Sequence, residues 1–129
     1  MPQARIEVIA GRPPAEKRAL LDAVHQSFME ALKTPDWDNN QRLLEYPPEC
    51  FDVPPGCTAK RTIIEVCMYP GRSLPAKRAL YQAIVRRLEA LGTPPKDVFV
   101  VLHEPPMQNW GIRGGLPARE VDLGFEVKV

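Results

Sequence analysis

The sequence has almost no excess of charge of either sign. Seventeen basic and sixteen acidic residues leave a formal net charge of +1, so no long-range field exists to draw in nucleic acid or an anionic membrane. Long hydrophobic runs are missing too. No stretch approaches the ~18 apolar residues that would span a bilayer, and no basic segment leads into an apolar one at the start, as a secretory signal would. Cysteine is scarce: Cys50, Cys57 and Cys67 are odd in number and have no C-x-x-C spacing. That pattern fits reduced thiols in a cytoplasmic protein and gives no reason to expect a metal. Also lacking are G-x-S-x-G, H-E-x-x-H, the Walker sequence and G-x-G-x-x-G. What remains is a chain of 129 residues, 44% hydrophobic and 26% charged. Those values suit a single domain, residues 1–129, that builds its core without disulfides or metal.

What the sequence does have in excess is proline. Ten of its fifteen prolines stand in five pairs, at 13–14, 47–48, 54–55, 94–95 and 105–106. They interrupt the periodic segments rather than lying within them, and so read as punctuation between elements. Residues 1–10 form a first strand, with Ile6 and Val8 on one face and Arg5 and Glu7 on the other. Residues 15–32 are helical, with Leu20, Leu21, Val24, Phe28, Ala31 and Leu32 in one stripe. A short extended run follows at 41–46. Residues 61–68 make another strand and 75–91 another helix.

These segments are two copies of one unit. Gly11-Arg12 matches Gly71-Arg72, and Lys17-Arg18-Ala19-Leu20 matches Lys77-Arg78-Ala79-Leu80, at an offset of 60. One residue is then dropped. At an offset of 59 Glu30-Ala31-Leu32 meets Glu89-Ala90-Leu91, Asp38 meets Asp97, and Glu45 meets Glu104. Identity kept in register across both halves signals an internal repeat. Each copy, about 2–46 and about 61–104, has the length of a βαβ crossover with parallel strands. The expected fold is α/β (α+β): a four-stranded mixed sheet with both helices on one face, plus a tail at 105–129. The bare face then needs cover, and packing of sheets across subunits is the expected source. In the tail, 109–115 reads as a Gly-rich turn and 120–129 as a half-buried strand.

Several residues could carry chemistry. Pro2 is unusual at the opening of a strand, because it has no N–H to give the ladder. If Met1 is removed, Pro2 bears a free secondary amine. Burial near arginines would lower its basicity, and a free α-amino group titrates near ~8 to begin with. Such a group could act as a base at neutral pH. If Met1 stays, Pro2 is an amide without a basic lone pair. Arg12 and Arg72 each follow the first strand of a unit, where a guanidinium can hold a carboxylate at two points or simply be solvated. Asp36 and Asp38 can orient a water or organise a turn. Trp110 can form an apolar wall. The glycines at 111, 114 and 115 could offer amides to an anion, although a plain hairpin turn explains them as well. His25 and His103 read as structural.

The proline after Met1, the tandem βαβ units, Gly-Arg at both turns and the closing Asn-Trp-Gly-Ile-Arg-Gly-Gly together resemble the tautomerase superfamily. That family includes 4-oxalocrotonate tautomerase, macrophage migration inhibitory factor, the chloroacrylic acid dehalogenases and malonate semialdehyde decarboxylase. The resemblance covers nearly the whole chain. The length is similar to the long, fused branch, and the layout of 34–46 looks most like the decarboxylase group. It implies Pro2 as catalytic base or acid and Asp38 as the orienting carboxylate. Arg72 is implied as the carboxylate-binding arginine, and Trp110 as part of the apolar wall. Arg12 is similar to a substrate-binding arginine of the short tautomerases. The second arginine that the decarboxylase and the cis-dehalogenase carry two or three residues before Arg72 is replaced here by Pro70 and Tyr69, and Arg113 could substitute for it. The implied activity is cofactor-independent tautomerisation of a small 2-oxo or enol carboxylate by a homotrimer. Decarboxylation, hydration or dehalogenation of three-carbon acids is the alternative on the same site. A non-catalytic trimeric binding protein is the alternative outside enzymology.

Overall fold

The computed structural model describes residues 2–129. Its order is β1 (Gln3–Ile9), α1 (Pro14–Leu32), β2 (Asn40–Tyr46), β3 (Thr62–Cys67), α2 (Leu74–Ala90) and β4 (Val98–His103), then a small hairpin of β5 (Gly111–Ile112) and β6 (Leu116–Pro117). The four longer strands make one mixed sheet in the order β2-β1-β3-β4. Both βαβ units are parallel within themselves, and the central pair β1/β3 is antiparallel. The repeat expected from the sequence is therefore present as two units related by an approximate two-fold axis between β1 and β3.

Alternation builds the core. Ala4, Ile6 and Val8 on β1, with Ile64 and Val66 on β3, are fully buried beneath the helices. Leu20, Val24, Phe28 and Leu32 of α1 and Leu80, Ile84 and Leu88 of α2 cover them. Proline and capping set the helix limits. Pro14 sits in the first turn of α1, and Lys33 closes that helix in the left-handed region (φ 59) just before Thr34-Pro35. On α2 the Ser73 hydroxyl accepts a hydrogen bond from the Ala76 N–H. The repeat also duplicates an ion pair. Lys17 Nζ meets Glu45 and Lys77 Nζ meets Glu104, each tying a helix to the end of its second strand.

The sheet face away from the helices carries a polar network. Arg5 donates to Glu65 at 3.0 Å, Tyr46 donates to Glu7 at 2.6 Å, and His103 lies 3.3 Å from Glu65. Phe99, half exposed on β4, shares that face.

The tail departs from expectation. The hairpin is formed, but residues 121–129 make no strand in the single chain. Gly124 turns the backbone at φ 80, and the last residue reaches back to the start of α2. There Ser73 donates to the Val129 carbonyl from both N–H (3.3 Å) and hydroxyl (2.9 Å). The alternation of Val121, Leu123, Phe125, Val127 and Val129 is real: each is partly buried between exposed neighbours. One-sided burial of an extended segment lying on a surface produces the same period as a strand, and here it marks such a segment.

Candidate active site

Pro2 is buried and sits immediately before Gln3. Gln3 pairs with Asn40 on β2 and Cys67 on β3. Continued by one step, these ladders would bring Pro2 level with Asn39 and Met68. The same end of the sheet therefore collects the loop before β2, which carries Asp38, and the loop after β3, which carries Tyr69 and Arg72. Met1, whose removal the proline reading requires, lies outside the described residues.

Arg72 is buried, with only 5% of its surface exposed. Its Nη1 donates to the Tyr69 carbonyl at 3.0 Å, whereas its Nε and Nη2 have no hydrogen-bond partner among the described residues. Burial pulls its pKa below the usual arginine value, while Glu104, Asp38 and Tyr69 oppose that fall. Guanidinium groups keep their proton under such pressure. A buried cation with two unanswered donors is costly to the fold and well suited to a carboxylate.

Tyr69 is fully buried, and its hydroxyl also lacks a hydrogen-bond partner among the described residues. Burial raises the phenol pKa. Asp38 raises it further, and Arg113 and Arg72 pull it back. Tyr69 lines a recess of about 130 Å³ together with Trp37, Asp38, Ile112, Arg113, Leu123 and Phe125. The walls are mostly apolar, and Trp37 meets Phe125 edge-on with ring centroids 6.0 Å apart.

Asp38 is buried at one side of this recess. Its N–H donates to the Pro35 carbonyl at 3.1 Å, and its Oδ1 accepts from the Asn40 side chain at 2.9 Å. The equivalent Asp97 in the second unit is bound by the Thr58 N–H and hydroxyl, which fastens the start of β4 to the loop before β3. Of the first unit's other candidates, Asp36 accepts at its Oδ1 from Nε2 of the buried His25, 3.0 Å away. That contact fastens the loop to α1, in keeping with a structural histidine.

Arg113 lies on the recess, exposed, at a strained position. It has φ 47 and Gly114 has φ 81 at the centre of the β5–β6 turn, and Gly115 N–H closes that turn on the Ile112 carbonyl at 3.1 Å. Two successive positive φ values favour Asn-Gly, so an arginine there is held against preference. Trp110 stands one layer back. It packs edge-to-face on Tyr69 with centroids 4.8 Å apart, and its Nε1 donates to the Pro105 carbonyl at 3.1 Å.

Arg12 is not with the others. It follows the far end of β1, so the length of the strand, about 20 Å at ~3.3 Å per residue, separates it from Pro2. It lines a different, smaller cleft with Lys60, Glu16 and Leu91. The reason is the antiparallel pairing of β1 with β3, which sends repeat-equivalent residues to opposite ends of the sheet. Pro2, Asp38, Arg72, Trp110 and Arg113 are brought together, and Arg12 is not. Reading by residue type passed over Tyr69, Leu123 and Phe125. Tyr69 follows its strand as one more apolar-looking residue, and only its burial beside Arg72 marks it. Among the described residues no group of three His, Cys, Asp or Glu is placed to hold a metal, and no helix is long and apolar enough to cross a membrane.

Comparison with known proteins bears on the family and the fold. The sequence profile of a family described as tautomerase enzyme matches residues 38–113. A probable tautomerase of Bacillus subtilis, YusQ, is 29% identical over 121 residues, covering 89% of this chain and 95% of that protein. The 2-hydroxymuconate tautomerase of Comamonas testosteroni is 40% identical over 58 residues, 44% of this chain and 90% of its own length. Among solved structures, the FG41 malonate semialdehyde decarboxylase inhibited by 3-bromopropiolate superposes with a TM-score of 0.82 at 28% identity. It covers 89% of this chain and 92% of that one. With a fold, a buried cationic site and a profile match that begins at Asp38 and runs through Arg72 to Arg113, the chain belongs to the tautomerase family of enzymes.

Proposed function

We propose that this enzyme interconverts the keto and enol forms of a small 2-oxo carboxylate without a cofactor, using the amine of Pro2 exposed by loss of Met1. The neutral ring nitrogen takes the proton from the enol oxygen and delivers it to the adjacent carbon, or runs the exchange in reverse. Its low basicity follows from burial. Arg72 binds the carboxylate through the two donors it leaves unused, and its charge steadies the enolate that forms between the two proton positions. Asp38 orients the substrate at the side of the recess, and Arg113 closes over the rim. The observation that supports this reading is that a buried proline and a buried, under-partnered arginine lie at the same end of the sheet.

Assembly as a homotrimer would cover the polar outer face of the sheet. A fused 4-OT, 30% identical with a TM-score of 0.81, is described as a symmetric trimer. Within one chain Arg12 is too distant to share the substrate, so it joins the site only if a second copy contributes it. The mass of the native protein tests the premise, since intact Met1 abolishes the amine. Turnover of phenylenolpyruvate or 2-hydroxymuconate by wild type and not by Pro2→Ala is the expected result, and equal rates would remove the proposal.

A second reading draws on Asp38 at the recess wall. There it could activate a water for hydration, dehalogenation or decarboxylation of a three-carbon acid. Release of carbon dioxide or halide separates this reading from the first.

A further inference from the structure

The hydroxyl of Tyr69 is a polar group on the recess that the proposed reaction does not use. It is fully buried and finds no hydrogen-bond partner among the described residues. It is also firmly placed. Its own carbonyl takes the hydrogen bond from Arg72, and Trp110 packs against its ring. A buried hydroxyl kept unpaired costs stability, and a phenylalanine would fill the same space without that cost. Retention of the oxygen therefore calls for a partner that arrives from outside.

We infer that the Tyr69 hydroxyl donates a hydrogen bond to the oxygen on carbon 2 of the substrate, beside the carboxylate that Arg72 holds. This deepens the keto–enol reading and rests on it. A 2-oxo acid presents its carboxylate and its carbonyl oxygen on adjacent carbons. Arg72 and Tyr69 lie three residues apart, the guanidinium rests on the Tyr69 main-chain carbonyl at 3.0 Å, and the Arg72 charge acts on the Tyr69 phenol, so a cation and a neutral donor stand at the same end of the sheet. As the proton leaves, negative charge gathers on the 2-oxygen, and the bond from Tyr69 strengthens there. The phenol keeps its proton throughout, because burial and the Asp38 carboxylate both favour the neutral form. The substrate tail then enters the apolar part of the recess formed by Trp37, Ile112, Leu123 and Phe125. The enzyme should thus recognise 2-oxo and enol acids with an apolar substituent, and should bind poorly those that lack an oxygen at carbon 2.

The test compares phenylpyruvate with 3-phenylpropionate, which has the same ring and carboxylate but no 2-oxygen. Binding is followed by tryptophan fluorescence on wild type, Tyr69→Phe and Pro2→Ala, and turnover is followed with phenylenolpyruvate. Wild type should bind the 2-oxo acid about ten-fold tighter, and Tyr69→Phe should lose that preference while holding 3-phenylpropionate as before. Its kcat should fall about 10- to 100-fold, as expected for one hydrogen bond to a developing charge. Pro2→Ala should keep the binding preference and lose turnover. No preference in wild type, a preference retained in Tyr69→Phe, or a kcat within two-fold of wild type in that variant would each overturn the inference. Failure of the proline reading shows separately, as a Pro2→Ala enzyme that still turns over.

Discussion

Replacing Arg72 with methionine separates a binding arginine from a structural one, because the two roles predict opposite effects on stability. Met preserves most of the aliphatic stem, so packing changes little. The change removes a buried cation whose Nε and Nη2 make no hydrogen bond with the described residues. Unmade buried donors cost about 1–3 kcal/mol each. Against that gain stand two losses. The Tyr69 carbonyl loses its 3.0 Å partner, worth about 1 kcal/mol, and Glu104 and Asp38 lose a nearby positive charge. The terms nearly cancel, with a slight advantage to methionine. Arg72→Met should therefore leave the melting temperature unchanged or raise it by a few degrees, at roughly 3–5 °C per kcal/mol for a chain of this size. Function should behave differently. Two charge-assisted hydrogen bonds to a carboxylate contribute about 3–4 kcal/mol together, so kcat/KM for phenylenolpyruvate should fall 10²- to 10³-fold. Thermal unfolding and steady-state kinetics on the same preparation decide the matter. A variant destabilised by more than about 2 kcal/mol with kcat/KM preserved would show that Arg72 exists to balance Glu104 and Asp38, and would refute the argument from its idle donors.

The two Gly-Arg turns supply a matched pair of substitutions. Gly71 and Gly11 have almost the same backbone (φ 132 and 131), but a Cβ on Gly71 would stand 3.3 Å from Lys128 Cγ and 3.4 Å from the Val127 carbonyl, while one on Gly11 meets nothing within 4 Å among the described residues. Both alanine variants should lose about 1–3 kcal/mol to backbone strain. Gly71→Ala alone should also raise KM, by shifting the tail that brings Leu123 and Phe125 to the recess; equal effects in denaturation and kinetics would count against that tail contact. Arg113→Asn should relax the left-handed turn residue and stabilise the protein by a few tenths to 1 kcal/mol in urea unfolding, while weakening carboxylate binding several-fold. Unchanged binding would remove Arg113 from the site. The raised phenol pKa of Tyr69 gives an alkaline signature. Unfolded tyrosine ionises near 10 and the folded one later, so the folded state holds more protons above that pH. The contribution is complete below pH 10 and is lost as pH rises through the folded value. Tyr69→Phe should flatten the fall of stability above pH 10, and an identical profile in the two proteins would contradict the burial of that hydroxyl.

Much of this architecture is legible in the order of residues because its causes are local or periodic. Apolar residues at helical spacing place α1 and α2, proline pairs mark where elements stop, and matches at offsets of 60 and 59 reveal the two βαβ units. Candidate residues marked by their type are legible as well. Pro2, Asp38, Arg72, Trp110 and Arg113 can all be named before any fold is known, and all converge at one end of the sheet. Three features depended on long-range geometry. The alternation of 121–129 describes a buried side without saying what buries it, and Gly124 together with the Ser73–Val129 hydrogen bonds turns that segment into a strap rather than a strand. Tyr69 looks like any aromatic at a strand end until Arg72, Trp110 and the recess surround it. Finally, a repeat makes Arg12 and Arg72 equivalent in sequence and says nothing about direction. The antiparallel join of β1 and β3 decides that, and a two-fold operation between antiparallel strands carries equivalent residues to opposite ends, leaving Arg72 and not Arg12 at the proline's end of the sheet.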